Sequence, residues 1–177
     1  MADLLEQTIA GCKKDDFKAQ RAFYNLFYKT VYNSCYRILS NAMDAEDCMQ
    51  ETFIKAFDKI NFIGDAPPEA WLKRIAINTC LDTLKSKKPD WKETDEPVNI
   101  ADEPPPDEEE IHWKVEQIKI AMGKLSEKYR VILSLYLMEG FDHEEIAEIL
   151  QLNEATARSQ YSRAKHQLIE IIKKEEI

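Results

Sequence analysis

The side chains between Glu154 and Ile171, EATARSQYSRAKHQLIEI, have types and spacing that suit chemistry with a nucleic acid. Ala157, Tyr161, Ala164, Leu168 and Ile171 recur at steps of four and three, which predicts one buried stripe along a helix. At about 100° per residue, the opposite face carries Ala155, Ser159, Ser162 and His166, with Arg158 and Arg163 at its flanks and Lys165 close by. Small residues permit close approach, hydroxyls pair with base edges, and cations pair with phosphates. From Glu154 to His166 the net charge is +2.

An acidic helix is expected just before it, over DHEEIAEIL. Asp142 suits the N-cap and Glu145 completes a capping-box pattern, while Ile146, Ile149 and Leu150 form an apolar face. Asn153 is the expected cap of the basic helix. Two short helices, one acidic and one basic, joined by a tight turn, describe a helix-turn-helix whose second member faces DNA.

Catalytic alternatives find little support. Cys12, Cys35, Cys48 and Cys80 lack the close pairs of a metal site and fall within apolar periodicities, so buried reduced thiols are expected. His112, His143 and His166 form no ligand pattern, and the four glycines form no phosphate loop. Asp44, Asp47 and Glu51 are a carboxylate group with no histidine in the same half of the chain. No catalytic residue, metal, cofactor or small-molecule substrate is therefore expected. No apolar run approaches a membrane span, and MADLLEQTIAG lacks the layout of a signal peptide, so the cytoplasm is the expected compartment.

A net charge of −9 over 177 residues looks wrong for a DNA binder, but its distribution resolves the objection. Residues 1–88 carry +1 and residues 116–177 carry −2, while residues 89–115 alone carry −8 and contain Pro89, Pro97, Pro104, Pro105 and Pro106. Such a stretch has too little apolar surface to fold alone, and its charge favours extension. The expected fold is all-α: a helical bundle over 1–92, a flexible acidic Pro-rich linker over 93–115, and a helix-turn-helix domain over 116–177.

The first domain reads as helices. A long one is expected over about 16–39, with Phe17, Phe23, Phe27, Val31, Cys35 and Ile38 inward. The next, DAEDCMQETFIKAF, would be capped by Asp44 and would bury Ala45, Cys48, Met49, Phe53, Ala56 and Phe57, leaving Asp47, Gln50 and Glu51 outward. The loop NFIGDAPPEA follows, with Pro67 and Pro68 resisting helix, and then a helix from Trp71 to Lys88 with a charge of +4. A basic helix beside an aromatic-bearing loop suits backbone contact and base stacking on a single strand.

Four stretches in this order, AFYNLFYKTVY, DAEDCMQETFIKAF, WLKRIAINTCLDTLKSKK and LSEKYRVILSLYLMEGFDHEEIAEIL with NEATARSQYSRAKHQL, resemble the extracytoplasmic-function (ECF) RNA polymerase sigma factors, group 4 of the sigma-70 superfamily. The resemblance spans nearly the whole chain. It implies a region 2-like domain followed by a region 4-like domain, promoter DNA and core RNA polymerase (β′ clamp helices and β flap) as partners, and commonly a membrane-bound anti-sigma factor. Asp47, Gln50 and Glu51 match positions that bind the clamp helices. Trp71, Arg74 and Asn78 match positions that recognise and melt the −10 element, with Lys85, Lys87 and Lys88 on phosphates. Arg158, Ser159, Ser162, Arg163 and Lys165 would read the −35 element. The linker would thread toward the RNA exit path.

Two departures stand out. Pro67, Pro68, Glu69 and Ala70 replace the Phe-Arg-Thr type of segment often found before the Trp, and Gln151 replaces a frequent turn Gly, at a site where positive φ is not required of every member. In the free protein, the acidic linker or an interdomain contact is expected to mask the basic faces. Three rival readings are a sigma-like decoy for an anti-sigma factor, a conventional dimeric helix-turn-helix regulator, and a carboxylate metalloenzyme. Run-off transcription, pull-down of core polymerase and the response to divalent metal separate them in turn.

Overall fold

The computed structural model describes residues 2–64, 66–87 and 115–175, and among these every regular element is helical. In the N-terminal domain α1 spans Ala2–Cys12, α2 Phe17–Leu39, α3 Ala42–Lys59 and α4 Pro68–Lys87. In the C-terminal domain α5 spans Val115–Lys124, α6 Glu127–Leu133, α7 His143–Leu150 and α8 Glu154–Glu175, and a π-helical turn over Ser134–Met138 prolongs α6. Lys88 and the expected linker up to residue 114 lie outside the described residues.

The long helices α2, α3 and α4 pack on one another because each buries an apolar stripe. Phe23, Val31, Cys35 and Ile38 of α2 face Cys48, Phe53 and Ala56 of α3 and Leu72, Ile77 and Cys80 of α4, all 3% exposed or less. The four cysteines are free and buried, as their periodicity predicts. Helix α1 packs on α2 at close range: a Cβ on Gly11 would sit 2.5 Å from the Ala19 Cβ, so glycine is needed there.

Three local expectations require correction. Phe17 is 75% exposed rather than inward, because it opens α2 beside the exposed residues 13–16. Asn41, not Asp44, caps α3, its Oδ1 accepting from the Asp44 N–H at 3.0 Å. Asp44 instead pairs with Lys87 at 2.6 Å. Helix α4 starts at Pro68, three residues earlier than expected, with the Trp71 N–H donating to the Pro67 carbonyl at 3.1 Å. Proline suits the first helical position, where its missing N–H would have no partner within the helix and its φ is already helical.

The helix-turn-helix forms as its sequence requires. The Asp142 carboxylate accepts from the Glu145 N–H and the Glu145 carboxylate from the Asp142 N–H, both at 2.9 Å. Asn153 caps α8 by accepting from the Thr156 N–H at 2.7 Å. The turn does adopt the left-handed conformation, at Gln151 with φ 57°, which closes hydrogen bonds to the last carbonyls of α7. Tyr136, His143 and Tyr161 form an aromatic trio, with centroids 4.4 to 5.1 Å apart, that ties the π turn, α7 and α8 together. His143 is thereby a packing residue.

The two domains share one apolar cluster and a polar seam. The carbonyls of the last turn of an α-helix have no partner within the helix. In α2, Tyr36 O is satisfied by the Ser40 N–H at 2.8 Å, but the next three are capped by the other domain. The Ser134 hydroxyl donates to Arg37 O at 3.2 Å, and the Arg130 guanidinium donates to Ile38 O at 3.0 Å and Leu39 O at 3.5 Å. Arg130 is only 7% exposed, and burial pushes its guanidinium down from the usual range.

Candidate nucleic-acid interface

On α8, Ala155, Ser159, Ser162, Lys165 and His166 are exposed, while Ala157 and Ala164 on the other side are fully buried. The two faces separate as the 3.6-residue period demands. Arg158 is exposed and forms an ion pair with Glu154 one turn earlier, and Arg163 is partly buried against the domain. The open face therefore offers two hydroxyls and Lys165, with Arg158 held alongside.

On α4, Trp71, Arg74, Asn78 and Lys85 fall within one angular sector of the helix. Arg74, Asn78 and Lys85 are exposed, and Trp71 is partly buried against the core with its other side toward the preceding loop. Lys87 is exposed but carries Asp44 as its ion-pair partner. Lys88 lies outside the described residues. The structure thus brings four of the six basic-helix candidates onto one surface and places Lys87 beyond it.

Asp47, Gln50 and Glu51 project outward from α3, and Glu51 pairs with Lys55 at 2.8 Å. Beside Gln50 runs a groove of about 500 Å³ walled by Tyr24, Tyr28, Tyr32 and Met49. Tyr24 and Tyr28 stack with centroids 5.6 Å apart and planes 10° apart, so the groove has an aromatic floor.

The domain junction contains polar residues that sequence reasoning missed. The Glu139 side chain is 1% exposed. Its Oε1 accepts from the Ser34 hydroxyl and from Arg37 Nη1, both at 2.9 Å, and Lys73 Nζ lies 3.5 Å from Oε2. Two residues on, the ring of Phe141 lies under the Arg74 guanidinium, 5.9 Å from its carbon. Ser34 and Glu139 are 105 residues apart, so no local pattern could have paired them. The interdomain contact touches the α4 side, whereas the outward face of α8 stays open.

Comparison with known proteins accounts for both halves. The family model for Sigma-70 region 2 matches residues 23–89, and that for Sigma-70 region 4 matches residues 116–168. The chain is 29% identical over 180 residues to the ECF RNA polymerase sigma factor SigW of Bacillus subtilis, covering 95% of this chain and 96% of that protein. It is 30% identical over 148 residues to the ECF sigma factor SigE of Mycolicibacterium smegmatis, covering 81% and 58%. Its fold is similar to that of the sigma factor RpoE from Bartonella quintana, solved in complex with the anti-sigma factor NepR, with a TM-score of 0.58, 24% identity and coverage of 86% of this chain and 96% of that one. With the two regions matched in the order in which the acidic segment separates them, and a relative aligned along nearly the full length, the chain belongs to the extracytoplasmic-function sigma factors of the sigma-70 family.

Proposed function

We propose that this sigma factor directs promoter-specific initiation as a bipartite reader, with the domain of residues 1–92 on core polymerase and the −10 element, residues 93–115 as tether, and residues 116–177 on the −35 element. The single observation that carries this reading is the pair of outward faces, Trp71–Arg74–Asn78–Lys85 on α4 and Ser159–Ser162–Lys165 on α8, each backed by its own packed helices. The chemistry is binding rather than catalysis: unpaired −10 bases stack and their phosphates meet cations, which offsets the cost of melting.

On α8, Arg158 must exchange Glu154 for a phosphate, which costs little because both partners are exposed. Asp47, Gln50 and Glu51 would engage the β′ clamp helices, and the neighbouring tyrosine groove offers an aromatic anchor of the kind that dominates interface energetics. The C-terminal domain would meet the β flap. An anti-sigma factor is a further partner, supported by the neighbour solved with one. A cytoplasmic site of action is consistent with the described helices, none of which is long and apolar enough to cross a membrane.

The test is selection of transcribed templates from a random promoter library with purified chain and core RNA polymerase. Two spaced motifs are expected among the transcripts, and the Ser159→Ala, Ser162→Ala double variant should lose selection at the upstream motif alone. Absence of promoter-dependent transcript from every template would overturn the reading in favour of a decoy.

A further inference from the structure

The turn Glu139–Gly140–Phe141 reaches from the C-terminal domain onto three cations of the N-terminal one. Gly140 adopts φ 79°, which favours glycine and brings the two flanking side chains to the same place. The Glu139 carboxylate takes Arg37 and Ser34 on one oxygen and faces Lys73 with the other. The Phe141 ring lies under Arg74, whose side chain is still exposed. Carboxylate and ring together wall a cavity of about 590 Å³ whose other side is Pro67, Trp71 and Arg74.

A carboxylate held by an arginine, a hydroxyl and a lysine presents one negative charge over two oxygens, as a phosphodiester does. An aromatic ring beneath a guanidinium presents the same stacking partner as a nucleobase. The fit is incomplete in two respects: Glu139 Oε2 is buried without a hydrogen bond, since Lys73 stands at ion-pair distance only, and Lys73 also pairs with Glu69 of the cavity wall at 3.3 Å. A buried ion pair of this kind is weak evidence for a purely stabilising role, because apolar packing often serves as well.

We propose that the Glu139–Gly140–Phe141 turn is an intramolecular mimic of one promoter-strand nucleotide. Arg37 and Lys73 then form a phosphate seat, with Arg74 the stacking partner of the adjoining base. The proposal rests on the sigma-factor reading for the identity of the strand, and it adds Arg37 and Lys73 to the single-strand path. DNA in the seat and the closed domain arrangement exclude one another, so whatever parts the domains also exposes the seat.

The experiment measures anisotropy of a 5′-fluorescein-labelled dT12 oligonucleotide with the full chain, without polymerase, across a salt series. Glu139→Gln keeps the side-chain volume and removes the charge. It should tighten binding by on the order of tenfold, the scale of one charge-assisted contact. Phe141→Ala should tighten it by a smaller factor. Adding Arg37→Ala or Lys73→Ala to Glu139→Gln should abolish the gain and flatten the logarithmic salt slope by about 0.7 for each cation removed. The proposal fails if Glu139→Gln and Glu139→Ala both bind as wild type at every salt, or if the gain survives loss of Arg37 and Lys73. Circular dichroism of each variant establishes that the fold persists, and Phe141→Ala provides an independent arm. Promoter-dependent run-off by the wild-type chain with core polymerase reports separately on the sigma-factor reading.

Discussion

Replacing Arg130 with alanine removes a side chain that serves two helix ends at once. Its Nε donates to Ile38 O at 3.0 Å, its Nη2 to Leu39 O at 3.5 Å, and its Nη1 to Leu125 O of its own domain at 3.2 Å. The first is a short bond from a charged donor in a buried setting, worth about 1.5–3 kcal/mol net. The second, at the limit of hydrogen-bond length, adds less than about 1 kcal/mol. A cation at the C-terminal end of α2 adds about 0.3–1 kcal/mol through the helix dipole. The cross-domain share is therefore about 2–5 kcal/mol, and it is not raised by orphaned carbonyls, because parting the domains returns them to water. For a chain of this size that corresponds to about 4–20 °C in the thermal midpoint, read by circular dichroism on the full-length protein. Arg130→Lys should fall between, since one ammonium cannot span both carbonyls as the planar fork does. Midpoints of Arg130→Ala and wild type within about 1 °C would refute the reasoning, and so would Arg130→Lys proving as damaging as alanine.

Gln151→Gly should stabilise the C-terminal domain by about 0.5–1 kcal/mol, measured by urea unfolding, because Gln151 adopts φ 57°. Asp142→Ala should destabilise the same domain by about 1 kcal/mol by opening the capping box, with a matching loss of transcription from −35-dependent templates. Ser162→Asp puts a negative charge on the open face of α8 and should abolish −35-dependent run-off while leaving the unfolding midpoint within about 1 °C, as for a surface change. The four thiols, 2% exposed or less, should resist an aromatic disulfide reagent in the native protein and all react in denaturant.

Sequence carried the elements and their caps wherever the cause was local. The period of α8 placed its small and charged residues outward, Asp142 with Glu145 closed the capping box, and Asn153 began α8, because each depends on residues within a turn or two. Errors arose where two causes competed. Asn41 and Asp44 both cap well, and Asp44 was diverted to Lys87 on another helix. Pro67 and Pro68 look like helix breakers, yet Pro68 occupies the one helical position that suits proline. The candidate site was legible as separate faces on α3, α4 and α8. The seam between domains was not, since Arg130 with Ile38 O and Glu139 with Ser34 join residues 92 and 105 positions apart, with no periodicity to announce them.

The charge map acquires a further meaning once that seam is included. The sequence makes the acidic segment the natural mask for the basic faces, by long-range attraction. The junction shows a shorter-range device: one glutamate, desolvated and aimed at Arg37 and Lys73. Attraction from a tether between exposed charges is screened over about 8 Å at physiological salt, whereas a buried contact is screened far less. A ligand can shift such a closed arrangement only by its differential affinity for the open one. Moving the population from 1:99 to 99:1 requires about 5.5 kcal/mol of difference, more than one nucleotide in the seat supplies through a few charge-assisted contacts. One nucleotide in the seat therefore does not by itself drive so complete an opening. A partner that grips both domains gains affinity for the open form by linking two binding events, and so helps the strand to reach Arg37, Lys73 and Arg74.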